Sequence, residues 1–567
     1  MMENVRDGKD SSKNKPRIGV FVCHCGSNIG GLIDCKMLAE YASTLPDVVH
    51  SEDNLYTCSE NGLTNIRKAI KDYSLNRIVV ASCTPRTHEA LFRETVKEEG
   101  LNPYLFNFVN IRDQCTWVHM KQPEAAFKKA KDLIKMGAAK ARHLEALSKN
   151  ELKVNQVAIV IGGGVAGISA AISLSKQGFK VHLIEKKDSL GGNVNSFHSL
   201  FPGSSSSAEL VKKLLDQVKG TQNLQVHLSS TVKDINGYVG NFGMTIEKDG
   251  KRSEINAGAI IVATGASVFK PIGMYNYDGR MVITQLELEQ ELREKRFSGK
   301  DIVMIQCVGA RDKVRSYCSN VCCSVAVKNA LLIKNQDPAA KITVLFRDMY
   351  TPGVKQEQEY TMARSRGVTF LRYSEDKKPI VEKGMVRIYT NQLGDTLSIP
   401  ADTVVLSTPM IPNDNNKFLS ELLKVPLEEN GFFLEAHVKL RPVDFATDGI
   451  FVAGCAKWPA CISESISQGL AAASRASTIL SHETIEVEGS TSYIPELNSE
   501  LCKGCEVCIS VCPYHAIFKN DQGKVEIIQA QCKGCGVCTS TCTKRVIVSK
   551  HFTNEQILSE INALVIE

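Results

Sequence analysis

The sequence lacks the features of membrane-spanning, nucleic-acid-binding and secreted proteins. Its longest apolar stretch, at 157–174, is interrupted by four glycines, which predicts a strand, a turn and a helix rather than a membrane span. No long basic run accompanies the net charge of +6, so the sequence gives no electrostatic basis for binding nucleic acid. The start of the chain, MMENVRDGKDSSKNKPR, has no apolar signal-peptide core, so we expect a cytoplasmic protein.

Cysteine, by contrast, is abundant. The chain holds 20 cysteines among 567 residues and carries no sign of export. In a reducing compartment, cysteines more often bind metal or perform redox chemistry than form structural disulfides. Some are expected to be buried as small apolar side chains, and we assign Cys35 to that role.

Two cysteine motifs near the carboxyl end share one spacing. CKGCEVCISVCP at 502–513 and CKGCGVCTSTC at 532–542 both follow C-x2-C-x2-C-x3-C. This is the spacing of a bacterial ferredoxin with two [4Fe–4S] clusters, in which the fourth cysteine of each motif binds the other cluster. A pair of zinc ribbons would leave the third and fourth cysteines of each motif unexplained. The predicted ligands are Cys502, Cys505, Cys508 and Cys542 for one cluster, and Cys532, Cys535, Cys538 and Cys512 for the other.

A glycine-rich turn in the middle of the chain predicts a nucleotide site. An apolar strand runs into glycines spaced G-x-G-x-x-G, and a small-residue helix and a second strand ending on a carboxylate follow. The glycines suit a tight turn, a close pyrophosphate and helix–strand packing, and the carboxylate suits an adenosine ribose. A later Gly-Gly-Asn and a strand that closes on Thr-Gly favour FAD over NAD. The predicted FAD-binding residues are Gly162, Gly164, Gly167, Glu185, Lys186, Gly192, Asn193, Thr264 and Gly265.

A further strand, turn and helix at 448–476 completes a flavin domain. The arrangement resembles the thioredoxin-reductase-like disulfide oxidoreductases. The resemblance implies that the turn lies beneath the flavin ribitol and that the helix N-terminus faces the flavin, where it would stabilise a reduced, anionic ring. One position departs from that family, since Cys455 stands where those reductases have aspartate. The residues that this segment adds to the predicted site are Gly454, Cys455, Glu464 and Ser465.

The same resemblance places an inserted nucleotide-binding subdomain at about 299–385. Its first strand should end in a second glycine-rich loop, but the sequence there is QCVGARDKVRSYCSNVCC, with Gly309 as its one glycine. This argues against nicotinamide binding at the usual place. We favour a [4Fe–4S] cluster over a redox dithiol or a zinc site, and whether both adjacent cysteines bind iron stays open. The predicted ligands are Cys307, Cys318, Cys322 and Cys323.

The first 150 residues alternate apolar strands with amphipathic helices, which predicts a small parallel α/β sheet. A cysteine closely follows each strand. Because the carboxyl ends of parallel strands share one edge, we expect these thiols to converge on a further cluster. Cys23 and Cys25 are alternatives, and the flexible Gly26 favours Cys25. The predicted ligands are Cys25, Cys58, Cys83 and Cys115.

Taken together, these motifs resemble one family. VFVCHCGSNIGG, NLYTCS and VVASCTPRTHE in the amino-terminal part, QCVGARD and YCSNVCC in the middle, and the double ferredoxin motif are similar to the A subunit of heterodisulfide reductase. The resemblance covers nearly the whole chain. Methanogen members carry another ferredoxin module inserted in the flavin domain, which this sequence lacks, so we expect a short form with four clusters.

The resemblance implies an oxidoreductase subunit that works within a larger complex of anaerobic energy metabolism. In the family, the flavin divides electrons from a hydrogenase or dehydrogenase partner between ferredoxin and the heterodisulfide, a process called bifurcation, or confurcation in reverse. The heterodisulfide is reduced on a B subunit, which is reached through a C subunit. The implied partners are therefore B- and C-type subunits, ferredoxin and the electron-input subunit, and no catalytic side chain is expected beyond the flavin.

Other functions stay open at this point. Related subunits serve quinone-interacting and aromatic-ring-reducing complexes. A self-contained NAD(P)H:ferredoxin or disulfide oxidoreductase is a further alternative, as is a wiring scaffold without flavin. The missing second glycine loop counts against the self-contained enzyme.

The length of the chain predicts several domains. We expect a Rossmann-like α/β cluster domain with a connector helix at 1–150, a thioredoxin-reductase-like FAD domain at 151–485 and an α+β ferredoxin domain at 486–567.

Overall fold

The computed structural model describes residues 15–147, 151–390, 394–486, 495–520, 522–529 and 531–565. The polar start of the chain, on which the prediction about a signal peptide depends, lies outside these residues. Met1–Glu151 and Glu486–Glu567 form one compact unit, and Leu152–Ile485 forms a second. Within the described ranges, no helix is long and apolar enough to cross a membrane.

The amino-terminal part is built on four parallel strands. The strands are β1 (Ile18–Cys23), β2 (Val48–Asn54), β3 (Arg77–Ser82) and β4 (Phe106–Asn110), and the helices are α1 (Cys35–Ser43), α2 (Glu60–Asp72), α3 (Pro85–Glu98) and α4 (Pro123–Arg142). The sheet order is β2-β1-β3-β4. Strands β1 and β3 are buried along their whole length because α1 and α4 cover one face and α2 and α3 cover the other.

The second unit begins with the flavin-type sheet. Its elements up to residue 268 are β5 (Glu151–Lys153), β6 (Val157–Ile161), α5 (Val165–Lys176), β7 (Lys180–Ile184), α6 (Ser207–Lys219), β8 (Leu224–His227), β9 (Thr231–Tyr238), β10 (Asn241–Lys248), β11 (Lys251–Ala257), β12 (Ala259–Val262) and β13 (Ala266–Val268).

The remaining elements of this unit include a second parallel sheet. They are β14 (Val282–Thr284), α7 (Gln285–Arg293), β15 (Asp301–Ile305), α8 (Cys322–Gln336), β16 (Lys341–Phe346), α9 (Val354–Ser365), β17 (Thr369–Arg372), β18 (Ile380–Glu382), β19 (Met385–Thr390), β20 (Asp395–Pro400), β21 (Thr403–Leu406), β22 (Met410–Pro412), α10 (Asn416–Leu423), β23 (Ile450–Val452), α11 (Ile462–Leu480) and β24 (Thr484–Glu486).

Two five-stranded parallel sheets organise this unit. The first has the order β23-β12-β6-β7-β8, and the antiparallel sheet β11-β10-β9 accompanies it. Helices α5 and α11 pack together against the first sheet through small buried residues. The second sheet has the order β14-β21-β15-β16-β17, so its strands extend from Val282 to Leu406, on both sides of the predicted insertion at 299–385.

The carboxyl-terminal part repeats a short pattern around its two cysteine motifs. Its elements are β25 (Glu496–Leu497), α12 (Val507–Val511), β26 (Ile517–Lys519), β27 (Val525–Ile527), α13 (Val537–Thr541), β28 (Ile547–Val548) and α14 (Asn554–Val565). Strand β25 pairs with β28, and β26 pairs with β27. Helix α14 packs against α4, where the Gln556 amide donates to the carbonyl of His143 at 2.8 Å and Lys140 pairs with Glu560 at 3.3 Å.

Candidate cofactor sites

At two positions, one in the turn after β6 and one in the first turn of α5, there is room only for glycine. Gly162 has φ +114°, and a Cβ there would lie 2.3 Å from the carbonyl oxygen of Ala263. A Cβ at Gly167 would lie 1.9 Å from the carbonyl oxygen of Gly162. A Cβ at Gly164, where α5 begins, would meet no atom within 4 Å. The chain therefore turns tightly and leaves open space at the helix N-terminus, as a dinucleotide pyrophosphate requires.

Glu185 follows β7 and is held by the same turn. One carboxylate oxygen accepts from the Gly163 amide at 2.6 Å and the other from the Lys187 amide at 2.8 Å. The side chain is buried, and each oxygen keeps a lone pair for a further donor. This geometry suits the hydroxyl groups of a ribose, the role that the sequence predicts.

A cavity of about 470 Å³ adjoins this turn, within the usual size range of small-molecule sites. The Thr264 hydroxyl on its wall is buried and has no hydrogen-bond partner in the described part of the chain. Gly265 has φ +71° and faces open space. An orphaned hydroxyl and an open glycine cradle fit a bound FAD. The predicted residues that line the cavity are Gly162, Gly164, Glu185, Lys186, Gly192, Asn193, Thr264, Gly265, Cys455 and Ser465.

Three predicted FAD residues do not line the cavity: Gly167, Gly454 and Glu464. Gly454 has φ +67°, and a Cβ there would lie 2.8 Å from the Cβ of Ala166. Because glycine has no Cβ, the turn after β23 can pack against α5. Glu464 is exposed and accepts from the Gln468 amide at 3.3 Å. Gln468 in turn accepts from the backbone amide of Gly454 at 2.9 Å. Glu464 thus supports the turn indirectly, and the structure does not place it on the cavity wall.

Sequence reasoning missed a buried ion pair on the cavity wall. Lys328 of α8 pairs with Glu289 of α7, and their side chains are only 1% and 4% exposed. The Lys328 amine also donates to the carbonyl of Ser199 at 2.9 Å, and Glu289 accepts from the amide of His198 at 2.7 Å. Burial lowers the pKa of Lys328, which Glu289 partly offsets. The sequence feature that could have indicated this pair is Lys328 itself, a charged residue within the apolar run CCSVAVKNALLI.

The structure gathers all four cysteines of the segment 307–323. Burial raises the pKa of the Cys322 thiol, and the thiols of Cys323, Cys318 and Cys307 raise it further, because they lie close by. Burial likewise raises the pKa of Cys323 to about 11. Two of these thiols donate to backbone carbonyls, Cys322 to Thr408 at 3.6 Å and Cys323 to Asp348 at 3.8 Å.

Cys322 also belongs to the wall of the flavin cavity. The four-cysteine group therefore adjoins the cavity directly. Two cations lie beside the group, since Arg311 and Arg347 both lower the otherwise raised pKa of Cys307. Arg311 is held by Asp348 at 2.7 Å. Four thiols with flanking cations suit an anionic iron–sulfur cluster.

The cysteines that lie together at the edge of the amino-terminal sheet differ from the predicted set. Burial raises the pKa of both Cys25 and Cys58, and the thiols of Cys23 and Cys83 raise it further. The Thr57 amide donates to the Cys23 sulfur at 3.4 Å. The Arg112 guanidinium donates to the Cys25 sulfur at 3.6 Å. Both alternatives that the sequence left open, Cys23 and Cys25, thus lie in the group.

Cys115 is not brought to this group, contrary to the sequence-based expectation. Its thiol is fully buried in the core between the sheet and α4 and donates to the carbonyl of Ala126 at 3.1 Å. The cause is local, because the Asn110 side chain accepts from the amides of Arg112 and Asp113 and turns the chain after β4. Cys35 is also buried in this core, as predicted.

The carboxyl-terminal motifs approach each other as a ferredoxin requires. One small cavity is lined by Cys512 of the first motif together with three cysteines of the second, Cys532, Cys535 and Cys538. Backbone amides already point at sulfurs, since Gly504 donates to Cys502 at 3.5 Å, Gly534 to Cys532 at 3.4 Å and Ala516 to Cys512 at 3.3 Å. Such donors stabilise a thiolate-bound cluster and tune its potential.

The described residues contain no group of three or more histidine, cysteine or acidic side chains placed to hold a single metal ion. In a cubane, each of the four thiolates binds a different iron, so its ligands need not converge on one point.

Comparison with known proteins assigns the two kinds of cofactor. Residues 156–469 match the model of the pyridine nucleotide-disulphide oxidoreductases, and residues 496–546 match a 4Fe-4S dicluster domain. The first match confirms the flavin fold and FAD, and the second confirms [4Fe–4S] clusters in the carboxyl-terminal part. The fold class predicted from the sequence, α/β with a terminal ferredoxin, is also confirmed.

Three curated relatives are similar over most of their length. The second iron-sulfur A subunit of CoB–CoM heterodisulfide reductase from Methanopyrus kandleri is 37% identical, with 89% of this chain and 92% of the relative covered. The A subunit of the H(2):CoB-CoM heterodisulfide,ferredoxin reductase from Methanothermobacter thermautotrophicus is 35% identical over 99% of each chain. The A subunit of the ferredoxin/F(420)H(2)-dependent CoB-CoM heterodisulfide reductase from Methanosarcina acetivorans is 34% identical, with 96% and 80% covered.

The alignment with the Methanothermobacter protein spans 657 positions, more than the 567 residues of this chain, so that relative contains segments that are missing here. Identity of this level over nearly complete chains agrees with the motifs and with both domain matches. This chain belongs to the family of heterodisulfide reductase A subunits, whose members are components of oxidoreductases.

Proposed function

We propose that this chain is the electron-branching subunit of a cytoplasmic heterodisulfide-reductase-like complex. In this role it passes electrons between a hydrogenase or dehydrogenase partner, ferredoxin and B- and C-type subunits that reduce the heterodisulfide. FAD, when bound, exchanges electron pairs for single electrons, and cubane clusters carry single electrons. For this role the chain has to hold FAD close to the clusters. It also has to keep the electron path to ferredoxin separate from the path to the heterodisulfide.

The observation that carries this proposal is the position of Cys322. It lines the flavin cavity and belongs to the four-cysteine group of residues 307–323. A cluster held there adjoins the flavin site with no intervening domain. The four ligands that we propose for it are Cys307, Cys318, Cys322 and Cys323.

Two further groups of thiols supply the other clusters of the proposal. At the amino-terminal sheet edge, we assign one cluster to Cys23, Cys25, Cys58 and Cys83, which replaces the sequence-based set that contained Cys115. In the carboxyl-terminal part, we assign two clusters to the eight ferredoxin cysteines as the spacing predicts. The chain then carries four cubanes, or about sixteen irons, and one FAD.

The names of the relatives support the proposed partners. The Methanothermobacter relative is named for H2, the heterodisulfide and ferredoxin, and the Methanosarcina relative for ferredoxin and F420H2. The compounds named beside the heterodisulfide differ between the relatives, since one name contains H2 and the other contains F420H2. The acceptor shared by the names is the CoB–CoM heterodisulfide, so heterodisulfide chemistry is the part of the proposal that they support best.

The cofactor arrangement is tested by removing one thiol from the flavin wall. Cys322→Ser should lose about four irons and keep FAD, because one cubane loses a ligand while the flavin cavity stays intact. Cys35→Ala, which removes a buried core thiol that is not one of the proposed ligands, is the matched control and should keep all iron. Iron, sulfide and flavin analysis after anaerobic purification measures both. An unchanged iron content in Cys322→Ser would contradict the assignment.

Electron branching itself requires the assembled complex. The chain, purified anaerobically with the subunits that accompany it, should reduce ferredoxin and a heterodisulfide together when its donor is supplied, with equal numbers of electrons in each product. Reduction of only one acceptor would identify a linear carrier. Copurification with membrane or ring-reducing subunits would instead redirect the function to one of those complexes.

A further inference from the structure

Two cysteines of the flavin unit remain without a role in the proposed clusters. They are Cys455, in the turn after β23, and Cys461, immediately before α11. Both line the flavin cavity, and both side chains are partly exposed. The other cysteines outside the proposed clusters, Cys35 and Cys115, are buried in the amino-terminal core.

The turn that carries these two residues folds one thiol back toward the other. The Cys455 thiol donates to the carbonyl of Ala460 at 3.4 Å, and that carbonyl is bonded directly to the nitrogen of Cys461. The tight geometry depends on Gly454, which has φ +67° and begins a short helical turn. The two cysteines are therefore neighbours in space although five residues separate them in sequence.

The structure gives Cys461 no capping role that would fix its side chain. Cys461 occupies the N-cap position of α11 but makes no capping hydrogen bond to the helix backbone. Its sulfur lies 3.1 Å from the hydroxyl of Ser463, and the Cys455 sulfur lies 3.9 Å from the hydroxyl of Ser465. Neither contact is strong enough to prevent a rotation about the Cα–Cβ bond.

We propose that Cys455 and Cys461 are a redox-active dithiol–disulfide pair on the wall of the flavin cavity. On oxidation, the two thiols lose two electrons and two protons and form an S–S bond, and oxidised FAD takes up the two electrons with protons. In the reverse direction, reduced FAD returns two electrons, the S–S bond breaks, and two protons restore the thiols. The pair would store one electron pair beside the flavin. The proposal needs FAD, which the family assigns, and does not need the electron branching proposed above.

The thiol state of the wild-type chain tests this directly. The anaerobic full-length chain with bound FAD is set to fully oxidised or fully reduced flavin, quenched in acid, alkylated under denaturing conditions and analysed by mass spectrometry. We expect a Cys455–Cys461 disulfide with oxidised flavin and two alkylated cysteines with reduced flavin. Two alkylated cysteines in both states, or a disulfide in both states, would overturn the proposal.

Electron uptake provides an independent measurement. In a reductive titration of the oxidised chain, Cys461→Ser should take up about two electrons fewer than the wild type, because it cannot form the disulfide. Cys35→Ala, which removes a thiol outside the cavity, should match the wild type. Equal uptake in all three proteins would contradict the proposal, and so would an equal loss in both variants. If Cys461→Ser fails to bind FAD, the wild-type alkylation result decides.

Discussion

At the scale of single residues, the amino-terminal cluster depends on which of two buried thiols binds iron. Cys23→Ser should remove about four irons per chain, because Cys23 lies with Cys25, Cys58 and Cys83 at the sheet edge. Cys115→Ser should keep its iron, because Cys115 donates to Ala126 in the core. Iron and sulfide analysis of both anaerobically purified variants measures the difference. Loss of iron from Cys115→Ser but not from Cys23→Ser would instead support the ligand set predicted from the sequence, which contains Cys115.

The buried ion pair of the flavin cavity gives a second prediction at this scale. Lys328→Met leaves the Glu289 carboxylate buried without its cation, which should cost about 3 kcal/mol or more of stability. Urea unfolding followed by flavin fluorescence measures the loss. Lys334→Met, on the same helix, removes a surface lysine that donates to the carbonyl of Pro338 and should cost less than about 1 kcal/mol.

A second change separates the charge effect from a packing effect. Adding Glu289→Gln to Lys328→Met removes the unpaired charge, so the double variant should recover part of the lost stability. If the double variant is less stable than Lys328→Met alone, the loss reflects packing around the lysine stem, and the ion-pair explanation is wrong.

Residues that bind through a local motif were predictable, and those that depend on a fold contact were not. The spacing of the ferredoxin cysteines is set within twelve residues, so the sequence alone gives the expected ligands. Cys115 follows a strand as the other predicted ligands do, but the Asn110 side chain redirects the chain after β4. Glu289 and Lys328 are 39 residues apart, and only the packing of α7 on α8 joins them.

At the scale of elements, a histidine pair makes one strand pairing sensitive to pH. His182 of β7 and His227 of β8 share a hydrogen bond at 2.9 Å. Burial lowers the pKa of both, and Lys180 and Lys248 contribute to the lowering. Each imidazole therefore stays neutral in the folded chain at a pH at which it is protonated in the unfolded chain, so the unfolded chain binds more protons.

The stability of the flavin unit should consequently fall as the pH drops through the ordinary histidine value of 6.5, and it should be fully present above that value. The urea midpoint at pH 7.5 and at pH 5.5 measures the loss. His227→Gln removes one titrating group and keeps a polar partner, so its midpoint should change less between the two pH values. A variant with the same pH dependence as the wild type would exclude the pair as the cause.

The order of elements was largely predictable because hydrophobic period and glycine position mark them locally. The four parallel strands of the amino-terminal sheet and the β6–α5 turn follow the expected pattern. The extent of the second parallel sheet could not be predicted from the sequence. Strands β14 and β21 have only three and four residues and join it from outside the range 299–385, so neither carries enough periodicity to reveal its partner.

At the scale of the whole molecule, we expect the chain to depend on partners for its electrons, because the loop after β15 in the described structure does not form a second nucleotide cradle. The loop after β15 and the start of α8 hold the four cysteines. The one glycine of this loop, Gly309, is packed against the ring of Phe269, where a Cβ would lie 2.6 Å away. This backbone has no open approach for a pyrophosphate. The chain with FAD bound should therefore not be reduced by NADH or NADPH alone.

Anaerobic spectroscopy of the flavin measures this in the isolated chain. Dithionite should bleach the flavin fully, which shows that the cofactor is competent, whereas a large excess of NADH should leave the absorbance unchanged. Adding the electron-input subunit with its own donor should then produce rapid bleaching if electrons enter through a partner, as proposed. Fast bleaching by NADH without any partner would show that the chain is a self-contained nicotinamide-linked oxidoreductase, and the proposed division of labour between subunits would be wrong.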